Sequence, residues 1–349
     1  MRRELPVGRR RARFPSVPLQ RISSQPAARP TVVCIGGNAQ NGATMLSRAL
    51  ELTPGWLSIG EVGYIWDRGI LENYPCGCGF AFADCSFWQE VGARAFGGWS
   101  RELGVEGRQL REGLMPKPRS IGHPAALPLL MWPDLASSYA ARARRYAQLL
   151  DRLYDAAAAV SGADVIVDMM KWPSHVYTVA AFSGLPVEVV HLVRDARGMA
   201  YSGSKVVAKP TGTGTRRQRS AYQSAYRWVW VNTAFEVLAQ RVPTTRVRYE
   251  DFVRDPAGEV LRITGEELPI SGRRLPLGDT HIVAGNRSRF SSGVVELRED
   301  IEWRERLPER DRARITAIAA PSLLRYGYPL RGHDVSGSTA LRKSSARSA

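Results

Sequence analysis

Apolar residues along this chain alternate between two patterns. Short apolar runs rich in β-branched residues occur at 31–35 (TVVCI), 164–167 and 187–193 (VEVVHLV), with further strand candidates at 56–59 (WLSI) and 246–250 (RVRYE). Near-continuous runs of this kind suit strands covered on both faces of a parallel sheet. Between them the apolar positions take helical spacing: from Ala43 onward at Met45, Leu46, Ala49 and Leu50, and again beginning at Val62, Ile65 and Trp66. Further helices are predicted at 137–160, from about Ser174 towards Pro186, from Arg194 onward, at 221–240, at 256–265 and near 308–324. Strand and helix alternate without an internal repeat. This predicts one α/β domain over 31–330, its central parallel sheet flanked by helices on both faces. Residues 1–30 and 331–349 read as disordered tails. Residues 73–88 form an irregular Cys/Gly/aromatic insert, 97–136 a Pro/Gly-rich excursion and 208–217 a mobile basic loop.

The junction of the first strand and helix carries candidate chemistry. Gly36 and Gly37 let the backbone turn, and Asn38 to Gly42 form a small polar loop. A glycine-bearing loop feeding a helix N-terminus aims backbone N–H groups and the helix dipole at an anion. Thr44 can donate its hydroxyl from the first turn. The loop lacks Gly-Lys-Ser/Thr, so the lysine and magnesium ligand of a nucleoside triphosphatase are missing. Nor is it a G-x-G-x-x-G dinucleotide fingerprint. By itself the loop is equally an ordinary βα turn.

Charge adds to this picture. The 349 residues carry a formal net charge of +16, with six arginines among the first fourteen positions. An excess of this size favours an anionic ligand or an acidic partner, and keeps a nucleic-acid binder in view. No apolar run approaches the ~20 residues of a membrane span, and the basic N-terminus lacks the apolar segment of a secretory signal. Four cysteines are few for this length, and reduced thiols point to the cytoplasm.

Three later stretches bear on the first loop. Arg194 follows a strand end, where ligands of open α/β sheets bind, and Ser202 lies about two helical turns on, so both can grip one phosphate. Tyr249 lies at the end of the last strand candidate and is placed to stack on a base. Gly285–Phe290 (GNRSRF) is a short basic loop.

The segments IGGNAQNGATML, SIGEVGYIWDRG, CGCGFAFADCSFW, VIVDMMKWP, VHLVRDARGMAYS, VRYEDFVRDP and HIVAGNRSRF occur in the order seen in bacterial sulfotransferases that use 3′-phosphoadenosine 5′-phosphosulfate (PAPS). The resemblance runs from Thr31 to Tyr328 and implies a P-loop-like sulfotransferase fold. It implies that Gly42, Ala43, Thr44 and Met45 cradle the 5′-phosphosulfate, that Arg194 and Ser202 hold the 3′-phosphate, and that Tyr249 lies beside the adenosine. Arg289 would close over the 3′-phosphate from the late loop. Glu61 matches a carboxylate that takes the acceptor's proton, and Lys171 a lysine on the transferred group or leaving phosphate. The reaction so implied moves a sulfuryl group to a hydroxyl of a small molecule, glycan or tyrosine, without a metal.

One departure stands out. The family's first loop usually reads basic-Ser-Gly-Ser/Thr-Thr, and here Gln40, Asn41 and Ala43 replace the basic residue, the serine and the next hydroxyl. Gln40 keeps a hydrogen-bond donor in the catalytic position but no charge, whereas a fixed cation there is worth several kcal/mol to the transition state. A catalytically inactive protein that binds PAPS or adenosine 3′,5′-bisphosphate (PAP) is therefore the alternative, with a nucleic-acid binder second. Asp168 is expected to cap its strand end, His175 to be a satisfied polar contact and His191 to sit in the core. Cys76, Cys78 and Cys85 form C-x-C plus one more cysteine with no histidine close in sequence, a poor ligand set. No metal is expected, and the insert reads as a lid over the acceptor.

Overall fold

The computed structural model describes residues 29–114, 137–205 and 219–330. The terminal tails, the 208–217 loop and most of the 97–136 excursion lie outside them. Five strands, β1 (Thr31–Gly36), β2 (Trp56–Gly60), β3 (Val165–Asp168), β4 (Val187–Val193) and β5 (Thr244–Arg248), form one all-parallel sheet in the order β2-β3-β1-β4-β5. Cys34 pairs with Asp168 on one side of β1 and Gly36 with His191 on the other. Parallel pairing follows from the connections, each of which crosses back through helices.

The helices are α1 (Ala43–Leu50), α2 (Ser86–Phe96), α3 (Arg101–Leu114), α4 (Ser137–Ser161), α5 (Pro173–Phe182), α6 (Ala196–Ser204), α7 (Ala221–Leu238), α8 (Tyr249–Arg254), α9 (Pro256–Thr264), α10 (Trp303–Arg306) and α11 (Glu309–Arg325). Among the described residues no helix is long and apolar enough to cross a membrane. Alternating residues of β1 feed two cores. Val32 and Cys34 pack with Tyr146, Leu150 and Phe235 from α4 and α7 on one face. Val33 and Ile35 pack with Leu46, Phe252 and Val260 from α1, α8 and α9 on the other. Burial on both faces is why the strands read as unbroken apolar runs.

Three features depart from the sequence reading. The insert and excursion supply α2 and α3, and the α2 residues Phe87, Trp88 and Val91 are buried in the first core. Val62 to Leu71 coil into a 3₁₀ turn and a π-helical segment rather than a regular α-helix. A small antiparallel pair, β6 (Arg274–Leu277) with β7 (Gly293–Glu296), flanks the late loop. Its four-residue strands are too short for a periodic signal.

His191 lies in the core as expected, its Nε2 2.9 Å from Asn232 Oδ1 and its ring stacked on Phe235. Burial pushes its pKa down to about 4, against the hydrogen bond with Asn232, which favours the charged form. A depressed histidine pKa contributes stability above the unfolded value of ~6.5, lost as pH falls from there through about 4. Urea unfolding at pH 8 and pH 4.5 should therefore show roughly 2–3 kcal/mol more acid loss in the wild type than in His191→Gln. Equal losses would mean that His191 does not stay neutral in the fold.

Candidate functional site

Each strand of the parallel sheet delivers a candidate residue just past its C-terminal end: Gln40–Met45 after β1, Glu61 after β2, Lys171 after β3, Arg194 after β4 and Tyr249 after β5. All five groups line one cavity of about 870 Å³, together with Ser202 and Arg289. Every residue singled out for binding or catalysis is thus brought to one place. The same wall carries eight lysine and arginine side chains among the described residues and only four acids, so the cavity favours an anion.

The first loop is pinned from below. Asn41 is fully buried; its Nδ2 donates to Leu192 O at 3.0 Å on β4, and its Oδ1 accepts from Ala43 N at 3.2 Å. Asn41 therefore does structural work where the resembled motif has serine. Gly42 has φ 94°, and a Cβ there would lie 2.5 Å from Cδ2 of Tyr249, so loop and tyrosine pack directly. Thr44 Oγ1 lies 3.4 Å from Asn286 N, joining the first loop to the late one. Gln40 holds a left-handed φ of 63°, and its Oε1 is buried without a partner among the described residues. Gln40 lines the cavity, but no cation replaces it from this loop.

Glu61 and Lys171 meet as an ion pair, with Nζ 2.5 Å from Oε1, and Arg68 approaches the other carboxylate oxygen at 3.6 Å. Burial alone would raise the Glu61 pKa, but Lys171 and Arg68 outweigh it and hold the carboxyl below its usual range. The residue is ionised at neutral pH and can accept a proton.

Arg194 is buried against the first loop. Its guanidinium donates to Gln40 O and to Asp300 Oδ2, both at 2.9 Å, and lies over the Tyr249 ring at 4.6 Å. Tyr249 opens helix α8 rather than ending a strand, which turns its ring onto the loop and under Arg194. Asp300, Arg68 and Lys205 also line the cavity; Arg68 lies within the SIGEVGYIWDRG segment without being singled out there, and Asp300 and Lys205 lie outside the segments that carry the resemblance.

Arg289 lines the same cavity as Arg194. It is buried, donates to Gly285 O at 3.2 Å and Pro75 O at 3.4 Å, and burial together with Arg68 lowers its pKa to about 10. Its electrostatic neighbours include Glu61 and Tyr74, so it belongs to the Glu61 end of the cavity. The late loop is further held by Arg48 of α1, buried and donating to the carbonyls of Arg289, Ser291 and Gly278.

Asp168 caps as expected: Oδ1 accepts from Met170 N and Val62 N, while Oδ2 bonds His175 Nε2 and Tyr154 OH, both at 2.7 Å. With both oxygens used and no exposure, it is a scaffold beneath Lys171. Cys76, Cys78 and Cys85 are free thiols, and the fold brings His281 to them from the far end of the chain. The histidine that the sequence does not place near these cysteines is therefore supplied in three dimensions.

No protein family's profile matches this chain, and no curated protein matches it. Solved structures similar to it include two sulfotransferase domains. The sulfotransferase domain from the curacin biosynthetic pathway aligns at 14% identity and a TM-score of 0.49, over 86% of this chain and 99% of that one. The sulfotransferase domain from the Synechococcus PCC 7002 olefin synthase aligns at 17% identity and a TM-score of 0.42, over 87% of this chain and 97% of that one. Likeness at these values carries neither an activity nor a substrate across to this chain.

Proposed function

We propose that this protein is a PAPS-dependent sulfotransferase acting on a hydroxyl acceptor. The observation that carries the reading is the convergence of all eleven residues named by the sequence resemblance on one electropositive cavity at the C-terminal edge of a parallel sheet. In this reading Gly42–Met45 receive the 5′-phosphosulfate at the N-terminus of α1, and Arg194 with Ser202 receive the 3′-phosphate beside Tyr249. The acceptor oxygen attacks sulfur, its proton passes to Glu61, and the bond from sulfur to the bridging phosphate oxygen breaks. The electron pair stays on that oxygen, which leaves as part of PAP. Lys171 offsets the charge gained there, and catalysis is otherwise positioning. Arg289 acts by holding the late loop.

Calorimetric titration with PAP, followed by transfer of labelled sulfate from PAPS to a panel of hydroxyl acceptors, tests the reading. Micromolar PAP binding with transfer is expected. Absence of PAP binding together with salt-sensitive nucleic-acid binding would overturn it. The uncharged Gln40 favours a second reading, a protein that binds PAP without transfer. Gln40→Arg should raise turnover in an active enzyme, and silence in both forms would favour the second reading.

Glu61→Gln should lose nearly all transfer while keeping PAP binding within a few fold, because an amide cannot take the acceptor's proton. Since Lys171 and Arg68 depress the Glu61 pKa, the acid limb of the wild-type rate profile should fall below the ordinary carboxylate range. An acid limb near neutrality would assign the base elsewhere.

A further inference from the structure

We propose that Cys76, Cys78, Cys85 and His281 bind a structural zinc ion that clamps the cysteine insert to the late loop of the cavity. One ligand atom from each lies within 4.8 Å of all the others. The contacts are Cys78 Sγ to Cys85 Sγ 3.6 Å, Cys85 Sγ to Cys76 Sγ 3.8 Å, and His281 Nδ1 to Cys76 and Cys85 Sγ 3.8 and 3.4 Å. Zinc–sulfur bonds of ~2.3 Å in a tetrahedron put sulfurs ~3.8 Å apart and a ring nitrogen about 3.6 Å from sulfur. Four of the six donor separations match those values, and the other two, Cys78 to Cys76 and to His281, lie within 4.8 Å, so a small inward shift of Cys78 completes the tetrahedron. Three thiolates and an imidazole are a zinc donor set, and four protein ligands close the coordination sphere, which marks a structural rather than a catalytic ion. Binding releases the three thiol protons and involves no redox change.

The surroundings hold the donors in place. Gly77 N donates to Ile282 O at 2.9 Å, and a Cβ on Gly77 would lie 2.5 Å from the Thr280 side chain, so only glycine lets the two segments touch. The His281 ring stacks on Phe87 at 4.4 Å, and Trp88 Nε1 donates to His281 O at 2.8 Å; together they fix the ring with Nδ1 toward the sulfurs. From this cluster the chain runs straight into the cavity. Tyr74 lies two residues before Cys76, the Pro75 carbonyl accepts from Arg289, and Val283–Arg289 form the cavity wall. A bland packing of three thiols and a ring would need no such shared centre.

Metal content decides the matter without reference to sulfuryl transfer. The full chain, purified under reducing conditions with zinc present, should hold one zinc per chain by elemental analysis. Cys78→Ser, at the most exposed of the three cysteines, and His281→Ala should each hold below about a tenth, whereas His281→Cys should retain it. Cobalt(II) added to chelator-stripped wild type should give the ligand-field bands of a tetrahedral site with thiolate charge transfer. Chelation should lower the melting temperature and zinc restore it, a readout that stands even where a variant fails to fold. Wild type with under about a tenth of an equivalent and no cobalt spectrum overturns the proposal. So does full zinc retention in both Cys78→Ser and His281→Ala.

Discussion

Lys171→Ala should cut sulfuryl transfer by a factor on the order of 10²–10³ and leave PAP affinity within a few fold. The split follows from the chemistry proposed above. The leaving phosphate gains its charge only as the bond to sulfur breaks, so a cation beside it is worth most in the transition state. Because Gln40 brings no charge to the first loop, Lys171 carries that duty with little help. The ion pair with Glu61 sharpens the expectation. Removing Lys171 leaves Glu61 with only the longer contact to Arg68, so its pKa rises and the acid limb of the rate profile moves up. A pure structural role for the pair would instead lower stability and PAP binding together. Single-turnover rates, PAP calorimetry and a melting curve on the one variant separate these outcomes. Full activity in Lys171→Ala would place the catalytic cation elsewhere.

Arg194→Ala should weaken PAP binding about 10- to 150-fold, from a charge-assisted contact of roughly 1.5–3 kcal/mol. Adenosine 5′-monophosphate, which lacks the 3′-phosphate, should lose far less. The comparison matters because Arg194 also donates to Gln40 O and covers the Tyr249 ring. Its loss will loosen the first loop and weaken both ligands alike, and the ratio between them cancels that part. Asp300 accepts from the guanidinium and keeps a buried cation paired. Equal losses for the two ligands would show that Arg194 serves the loop rather than the 3′-phosphate.

How much of this protein can be read from its chain differs from place to place. Strands β1 and β4 are legible because burial on both faces leaves an unbroken β-branched run, a local property of sequence. The positions of Arg194, Glu61 and Lys171 are legible for a related reason: a residue just past a strand of a parallel sheet lies at the ligand edge wherever that strand pairs. The starts of α2 and α3 are not, since the glycines and aromatics of the insert obscure their period. The partners of Arg289 are not legible, because a six-residue basic loop does not encode the direction of its side chains. Burial against Gly285 and Pro75 decides that.

The cysteine insert marks the boundary most clearly. Its three thiols are neighbours in sequence, and their spacing alone makes an incomplete ligand set. The fourth donor, His281, follows Cys85 by 196 residues, and no local pattern links them. What the chain determined by itself is the run of strands and the residues at their ends, because these depend on periodicity and backbone preference over a few positions. Only the tertiary structure decided which distant loops share a cavity wall and which four donors share a centre. Those relations come from sheet order and from a close approach at Gly77, and packing is settled by the whole chain at once.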